Sequence, residues 1–216
     1  MLMLRTALAS AAFALMSYAA AHWLTHDFQV WTTEGARRLE VALLPVPAPH
    51  VVMQGPGMMP GQTLARLLSD EGAVTIVDFM YTRCVTVCAA LGGAFQQMQS
   101  AIARVERTPG AASLRLLSIS FDPGHDDTAT LANYAVRLRA DPHIWRFARV
   151  TDPADVRDVL DTYQVTVIPD GLGGYEHNAA LLVVDPTGRL VRVFDYAEVD
   201  TALAFAGALA GVGMPQ

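Results

Sequence analysis

The sequence contains no lysine, no cluster of basic residues and only two cysteines. Its fifteen basic residues are all arginines, spread along a chain whose formal net charge is −6. Proteins that bind nucleic acids present a basic patch to the phosphates, so we predict no nucleic-acid partner. The chain also lacks internal repeats and charge blocks. We attribute the absence of lysine to genomic base composition rather than to chemistry.

The two cysteines, Cys84 and Cys88, are four positions apart in the stretch VDFMYTRCVTVCAAL. A disulfide that stabilises a fold usually closes a long loop, because closing a long loop removes more entropy from the unfolded chain. A bridge between residues this close would stabilise little and would exchange easily. The pair could bind a metal, transfer electrons, or be two small buried residues without a chemical role.

Residues 1–24 are predicted to form a signal peptide or a transmembrane anchor. The run from Ala7 to Leu24 carries no formal charge and meets the lower length limit for a membrane-spanning helix. Ala19 and Ala21 also provide an A-x-A pattern for signal-peptide cleavage. Both interpretations stay open, and both predict that the rest of the chain is exported. Thiols in an exported domain oxidise unless they are kept reduced or bind a metal.

Residues 25–72 are predicted to be a linker and N-terminal extension. Five prolines and three glycines fall within LLPVPAPHVVMQGPGMMPGQ, and these residues interrupt long regular elements. Short strands are expected only around Phe28–Thr32 and His50–Met53. Three methionines here could bind Cu(I) through their sulfur atoms, but we expect them to fill apolar surface. They are Met53, Met58 and Met59.

Residues 73–216 are predicted to form one α/β domain. The β-branched run Ala73–Tyr81 is short enough for a buried strand, and apolar residues at helical spacing follow from Cys84 to Glu106. Further strands are predicted at Ser113–Phe121, Trp145–Val150, Val165–Ile168, Tyr175–Asn178, AALLVVD and RLVRVF, and helices at Thr128–Arg139, Ala154–Tyr163 and Val199–Val212. The order β-α-β-α-α-β-β-α predicts a thioredoxin-like fold with a central mixed β-sheet flanked by helices. The cysteines then lie where the first core strand meets its helix.

The start of a helix is a favourable position for reactive cysteines. Residues four apart lie on the same face of a helix, so Cys84 and Cys88 could direct both sulfur atoms to one point. The N–H groups of a helix N-terminus lower the pKa of a thiol, and a thiolate is both a redox nucleophile and a metal ligand. The placement alone therefore leaves the two functions open.

A metal site would need a third ligand, and two histidines are candidates. Soft thiolates select Cu(I) or zinc, and an added imidazole lets the same site hold Cu(II). His125 lies in the turn DPGHDD after the second core strand, and His177 lies just before AALLVVD. In a thioredoxin-like sheet, neighbouring core strands end on the same side of the sheet. His177 is therefore the better candidate.

Three aspartates near these residues are candidates for supporting roles. Asp78, on the cysteine strand, and Asp122, at the end of the next strand, could orient His177 or Arg83, or could form caps and surface ion pairs. Asp126 is interpreted as a helix cap, because a helix is predicted to follow it.

Three segments, in this order, resemble the Sco/SenC copper proteins, which assist the assembly of cytochrome c oxidase. DFMYTRCVTVCAAL resembles the family's strand–YTxC-x-x-x-C–helix element, LSISFDPGHDDTATLANYA its S-x-DP-x-x-D-T segment, and EHNAALLVVDPTGRLV its histidine-plus-hairpin element. Cys88 and His177 are 177 − 88 = 89 positions apart, a separation similar to the family's. The resemblance covers about Ala73 to Tyr196.

The resemblance implies one copper ion, Cu(I) or Cu(II), bound by Cys84, Cys88 and His177. It implies a metallochaperone rather than an enzyme, located in the bacterial periplasm and anchored to the inner membrane by its N-terminal helix. The expected partners are a copper donor protein and a cytochrome oxidase subunit that carries a copper centre. Many relatives have proline where Val85 and Ala89 stand, so the turn is less rigid here without losing a ligand.

Thiol–disulfide exchange is the alternative function. One of Cys84 and Cys88 would attack a disulfide of a partner and the other would resolve the mixed disulfide, for example to reduce the copper-binding cysteines of the oxidase. Delivery and reduction could coexist. A thiol-dependent peroxidase fits less well, because it needs no histidine at the position of His177. A further departure is His125, where the family frequently has arginine, which changes the charge or adds a donor.

Overall fold

The structure is a computed structural model that describes residues 2–69, 72–84, 87–105 and 113–212. The side chains of residues 2 and 87–90, including that of Cys88, fall outside this description. The helices are α1 Leu2–Leu24, α2 Thr33–Leu43, α3 Leu64–Ser69, α4 Val87–Val105, α5 Thr128–Arg137, α6 Val156–Thr162 and α7 Val199–Leu209. The strands are β1 Val46–Pro47, β2 Met53–Gln54, β3 Val74–Met80, β4 Leu114–Ser120, β5 Trp145–Val150, β6 Val167–Pro169, β7 Tyr175–His177, β8 Ala180–Val184 and β9 Arg189–Asp195.

One mixed β-sheet forms the centre of the molecule, in the strand order β1-β9-β8-β3-β4-β5-β2. The strands β3, β4 and β5 are parallel, as expected for strands joined by helices, whereas β8 is antiparallel to β3. The strands β6 and β7 pair only with each other, in a separate two-stranded sheet. The predicted central mixed sheet flanked by helices is confirmed.

Both faces of the sheet are covered, so β3 is buried along its whole length. Successive side chains of a strand point to opposite faces. Ile76 accordingly packs with Phe95 of α4 on one side, and Val77 and Phe79 pack with Leu64 of α3 on the other.

Residues 33–69 form regular secondary structure that joins the domain, instead of the predicted linker. Helix α2 packs on β9, β1 pairs with β9 and β2 pairs with β5, so this segment supplies both edge strands of the sheet. Proline is accepted in β1 because an edge strand does not need every N–H for pairing. The expected strand Phe28–Thr32 is wrong, since these residues form turns and a bend. The expected strand His50–Met53 is replaced by β2, where Met53 is fully buried.

Helix α1 is exposed along almost its entire length. Within the described ranges it contains the one helical segment, Met3–Leu24, that is long and apolar enough to cross a membrane, with a mean hydropathy of 1.3. A signal sequence meets the same criteria, so the choice between an anchor and a cleaved signal stays a prediction.

Candidate metal centre

The cysteine turn, residues 81–84, follows directly from β3. The Cys84 amide donates a hydrogen bond to the Tyr81 carbonyl at 3.2 Å, and the half-buried Cys84 side chain packs against the core. Helix α4 begins at Val87, so Cys88 is its second residue and Cys84 precedes it. Cys84 itself is not helical, so the predicted helix start at Cys84 is wrong. The side chain of Cys88 is outside the described part of the structure. That the two sulfur atoms converge on one point therefore stays a prediction.

Asp126 holds the cysteine turn in place. Its buried carboxyl group accepts hydrogen bonds from the Thr82 amide at 3.0 Å, from the Thr82 hydroxyl, and from the Ser120 hydroxyl at 2.6 Å. The interpretation of Asp126 as a helix cap is wrong by one residue. Asp127 caps α5, accepting from the Thr130 amide at 2.7 Å. Asp126 instead ties the residue two positions before Cys84 to the end of β4.

Asp122 forms a polar cluster beside the cysteine turn. Its carboxylate lies 2.9 Å from Nη2 of Arg83 and 3.0 Å from Nδ1 of His125. The hydrogen bond to Asp122 raises the pKa of Arg83 above its ordinary value, so the guanidinium stays charged. The predicted contact of Asp122 with Arg83 is therefore observed. His125 is more than half exposed at the rim of this cluster.

Asp78 has a different environment from the one that its predicted orienting role requires. It is buried in the sheet and hydrogen-bonds to Ser118 of β4. It has no hydrogen bond to Arg83 or His177 within the described ranges. Ser118 also accepts a hydrogen bond from Trp145 Nε1 at 2.9 Å. Burial raises the pKa of Asp78 to about 7, because the charged carboxylate would lose its water.

Tyr81 attaches the β6–β7 hairpin to the end of β3. Its hydroxyl accepts a hydrogen bond from the Tyr175 amide at 3.0 Å and donates one to the Tyr175 carbonyl at 3.2 Å. The two rings are perpendicular, with centroids 5.3 Å apart. The hairpin carries His177 at the end of β7. The cysteine turn and the histidine hairpin therefore meet at the same end of the sheet.

His177 is half-buried, and its ring packs edge-on against Phe121 with centroids 5.2 Å apart. Neither Nδ1 nor Nε2, both buried, has a hydrogen-bond partner among the described residues. Burial lowers the pKa of His177 below its ordinary value, because the imidazolium would lose its water. The neutral ring that results has a free nitrogen lone pair, which is the form that binds metals.

The described part of the predicted ligand set is Cys84 and His177. Among the described residues, no three His, Cys, Asp or Glu side chains are grouped to hold a metal ion, and the third predicted ligand, Cys88, is not among those side chains. Met53 is fully buried in the core, where it pairs with Val150 of β5. Met58 and Met59 line a cavity with Trp145 at the N-terminal end of β5, the opposite end of the parallel strands from the cysteine turn.

Comparisons with known proteins match the domain that carries these residues. The SCO1/SenC family model matches residues 68–209, which is 209 − 68 + 1 = 142 of the 216 residues. A SCO1 protein homolog of Bacillus subtilis (strain 168) is 23% identical over 134 residues, which cover 61% of this chain and 67% of the relative.

Two solved structures show the same fold. Bradyrhizobium japonicum ScoI with copper bound is 26% identical, with a TM-score of 0.54 over 67% of this chain and 88% of that chain. A SCO1/SenC family lipoprotein from Bacillus anthracis str. Ames is 19% identical, with a TM-score of 0.63 over 77% of this chain and 98% of that chain. The predicted thioredoxin-like fold is confirmed. The family model covers about two thirds of the sequence, and the chain therefore belongs to the SCO1/SenC family.

Proposed function

We propose that this protein binds one copper ion through Cys84, Cys88 and His177 and delivers it to a cytochrome c oxidase. The observation that carries the proposal is His177, whose buried ring nitrogens lack hydrogen-bond partners among the described residues. A buried polar group without a partner costs about 1–3 kcal/mol. A bond from one ring nitrogen to a metal ion would offset that cost.

The donor set fits copper by its chemistry. Two thiolates are soft ligands that favour Cu(I), and one imidazole extends the same site to Cu(II). Cys84 and His177 lie at one end of the sheet, and Cys88 is the second residue of α4, where the helix N-terminus stabilises a thiolate. The copper-bound state of the Bradyrhizobium relative supports this assignment. Copper is the cargo here, and a site with three protein ligands permits transfer by ligand exchange.

The proposed location is the bacterial periplasm, with the folded domain held at the inner membrane by α1. The exposed apolar helix Met3–Leu24 supports an exported chain, and the Bacillus anthracis relative is a lipoprotein. The proposed partners are a copper donor protein and the oxidase subunit that carries a copper centre. In this scheme residues 1–24 serve export or anchoring, and the copper site belongs to the domain that follows.

Copper titration of the reduced full-length chain in detergent micelles tests the proposal. We expect one Cu(II) per chain, seen as absorbance in the thiolate-to-copper region. His177→Ala should lower the Cu(II) affinity by more than the roughly 10–100-fold that loss of an outer partner of a metal site costs. The exposed His143 provides a matched control, and His143→Ala should bind like the wild type. Unchanged Cu(II) affinity in His177→Ala would contradict the ligand assignment.

Thiol–disulfide exchange is the second candidate. It is favoured by the position of Cys88 as the second residue of the 19-residue helix α4, where the helix dipole lowers the pKa of a thiol. Cys84→Ser separates the two functions. If this variant lost oxidase assembly but still loaded copper like the wild type, reduction rather than delivery would be the main role. Parallel loss of copper loading and assembly is the result expected for delivery.

A further inference from the structure

The Tyr81 hydroxyl joins the cysteine turn to the hairpin that carries His177. Tyr81 is the first residue of the cysteine turn, and its hydroxyl bonds to both backbone groups of Tyr175, at 3.0 Å and 3.2 Å. Tyr175 is two positions before His177 on the same short strand. A shift of the backbone at Tyr175 therefore also moves the imidazole of His177.

The packing around this contact leaves little room for a different arrangement. The Tyr81 ring contacts Phe121 at 5.3 Å and Tyr175 at 5.3 Å, and Phe121 contacts His177 at 5.2 Å, all between ring centroids. A Cβ at Gly174 would lie 3.1 Å from the Tyr81 hydroxyl. The same Cβ would lie 2.5 Å from Asp170 Oδ2, so a side chain at position 174 would crowd both Tyr81 and Asp170.

We propose that Tyr81 is a positioning residue that fixes His177 as a copper ligand and thereby sets the preference of the site for Cu(II) over Cu(I). The proposal rests on the proposed function, in which His177 binds copper. Two thiolates alone are sufficient for Cu(I), whereas Cu(II) requires the imidazole. A displaced His177 therefore weakens Cu(II) binding and leaves Cu(I) binding nearly unchanged.

Tyr81→Phe removes the hydroxyl and keeps the ring. We expect the full-length variant in micelles to bind Cu(II) about tenfold more weakly, as is usual for loss of an outer partner of a metal site, and Cu(I) within about twofold of the wild type. Weaker binding of the oxidised ion raises the Cu(II)/Cu(I) reduction potential, by about 59 mV for a tenfold change. The thiolate-to-copper absorbance band should shift as well, because the geometry of the third ligand changes.

Tyr163→Phe is the matched control. Tyr163 is buried in the same core cluster, and its hydroxyl has no partner among the described residues. Its ring packs against Phe79, with centroids 5.7 Å apart. This variant loses a buried tyrosine hydroxyl that has no hydrogen bond to the hairpin among the described residues, so its Cu(II) affinity, potential and absorbance should match the wild type.

Amide hydrogen exchange supplies a readout without copper. In the metal-free protein the Tyr175 amide should exchange faster in Tyr81→Phe than in the wild type, because its hydrogen-bond acceptor is gone. The same amide should keep its protection in Tyr163→Phe. Thermal unfolding of both variants, followed by circular dichroism, identifies a general loss of folding.

The outcomes separate this proposal from the proposed function. If His177→Ala binds Cu(II) like the wild type, the proposed function fails and the role of Tyr81 fails with it. If His177→Ala loses Cu(II) while Tyr81→Phe keeps wild-type affinity, potential and absorbance, only the positioning role is overturned. Equal weakening of Cu(I) and Cu(II) in Tyr81→Phe, or the same effect in Tyr163→Phe, would also overturn it by indicating a purely structural hydroxyl.

Discussion

The cysteine turn and the histidine hairpin are attached to the sheet in different ways. The turn is the direct continuation of the central strand β3, and buried Asp126 fastens it through two hydrogen bonds from Thr82. The hairpin lies outside the seven-stranded sheet, and the Tyr81 hydroxyl, the aromatic rings and Val167 attach it to the core. The thiol side of the candidate site therefore depends on the core, and the imidazole side depends on a few contacts at its edge.

Because the two regions are attached differently, we expect them to contribute differently to the binding of Cu(I) and Cu(II). Ligands that belong to the core cannot move without a cost in global stability, whereas a two-stranded hairpin is only marginally stable by itself. Copper(I), which two thiolates satisfy, would depend mainly on the turn. Copper(II), which needs the imidazole, would depend on both regions. Perturbing each region separately tests this division.

The largest expected effect concerns Asp78, on the strand that carries the cysteine turn. Burial raises its pKa from 3.8 to about 7 in the folded chain, so between these values the folded chain holds a proton that the unfolded chain has released. Its contribution to stability is complete below about pH 4 and is lost as the pH rises through about 7. Relative to Asp78→Asn, the wild type should lose about 3 kcal/mol of unfolding free energy from pH 4 to pH 7.

Urea unfolding at several pH values measures this difference. Other titrating groups are common to both proteins, so the difference between the two curves isolates Asp78. Parallel curves over this pH range would show that Asp78 is ionised in the folded chain. The strand beneath the cysteine turn would then carry a buried charge.

The second prediction concerns Asp126→Ala, which releases the cysteine turn from β4. Three hydrogen bonds end on this buried carboxyl group, and we expect a loss of about 2–3 kcal/mol of unfolding free energy. Affinity for Cu(I) and for Cu(II) should fall together, because the thiol side is displaced. Asp127→Ala, which removes only the exposed cap of α5, is the control. A variant that lost Cu(II) affinity alone would contradict the division between the two regions.

The sequence predicted the elements whose pattern is local. The run of β-branched residues located β3 to within one residue at each end, since a fully buried strand is a short continuous apolar run. The turn at residues 185–188 also follows from local chemistry. Asp185 accepts hydrogen bonds from the Thr187 amide and hydroxyl, as turn-forming aspartates do, and the hairpin β8–β9 is found as predicted.

Contacts between distant segments explain what the sequence did not predict. The strands β1 and β2 have two residues each and exist because β9 and β5 supply their partners. The hydrogen bonds of Tyr81 and Asp126 likewise join residues 94 and 44 positions apart. One missed signal was local, since Thr32 accepts a hydrogen bond from the Gly35 amide and caps α2.

The third prediction perturbs the hairpin alone. Asp170 Oδ1 accepts hydrogen bonds from the Leu172 amide at 2.7 Å and the Gly174 amide at 2.9 Å, and these bonds lower the pKa of Asp170. Asp170→Ala should loosen the turn and lower Cu(II) affinity by less than the roughly tenfold expected for an outer partner of a metal site. Cu(I) affinity and the urea midpoint should stay unchanged.

Asp152→Ala is the control for this variant. Asp152 accepts a hydrogen bond from the Ala154 amide at 2.9 Å in a comparable exposed turn, and that turn begins the segment leading into α6. It should leave both copper affinities unchanged. A drop in the urea midpoint of Asp170→Ala would show that the hairpin belongs to the cooperative core, and the contrast between the two regions would be lost.

The smallest effect is expected at His125, the other histidine near the cysteine turn. Its exposed ring contacts Asp122 at 3.0 Å, but Asp122 keeps its ion pair with Arg83 at 2.9 Å when the ring is removed. Exposed ion pairs contribute little, so His125→Ala should change the Cu(II) affinity by no more than about twofold. Titrating His125→Ala and His177→Ala in parallel compares the imidazole of His125, on the core side, with that of His177, on the hairpin. If both variants lost Cu(II) equally, His125 would share the ligand role, and the imidazole side would not reside in the hairpin alone.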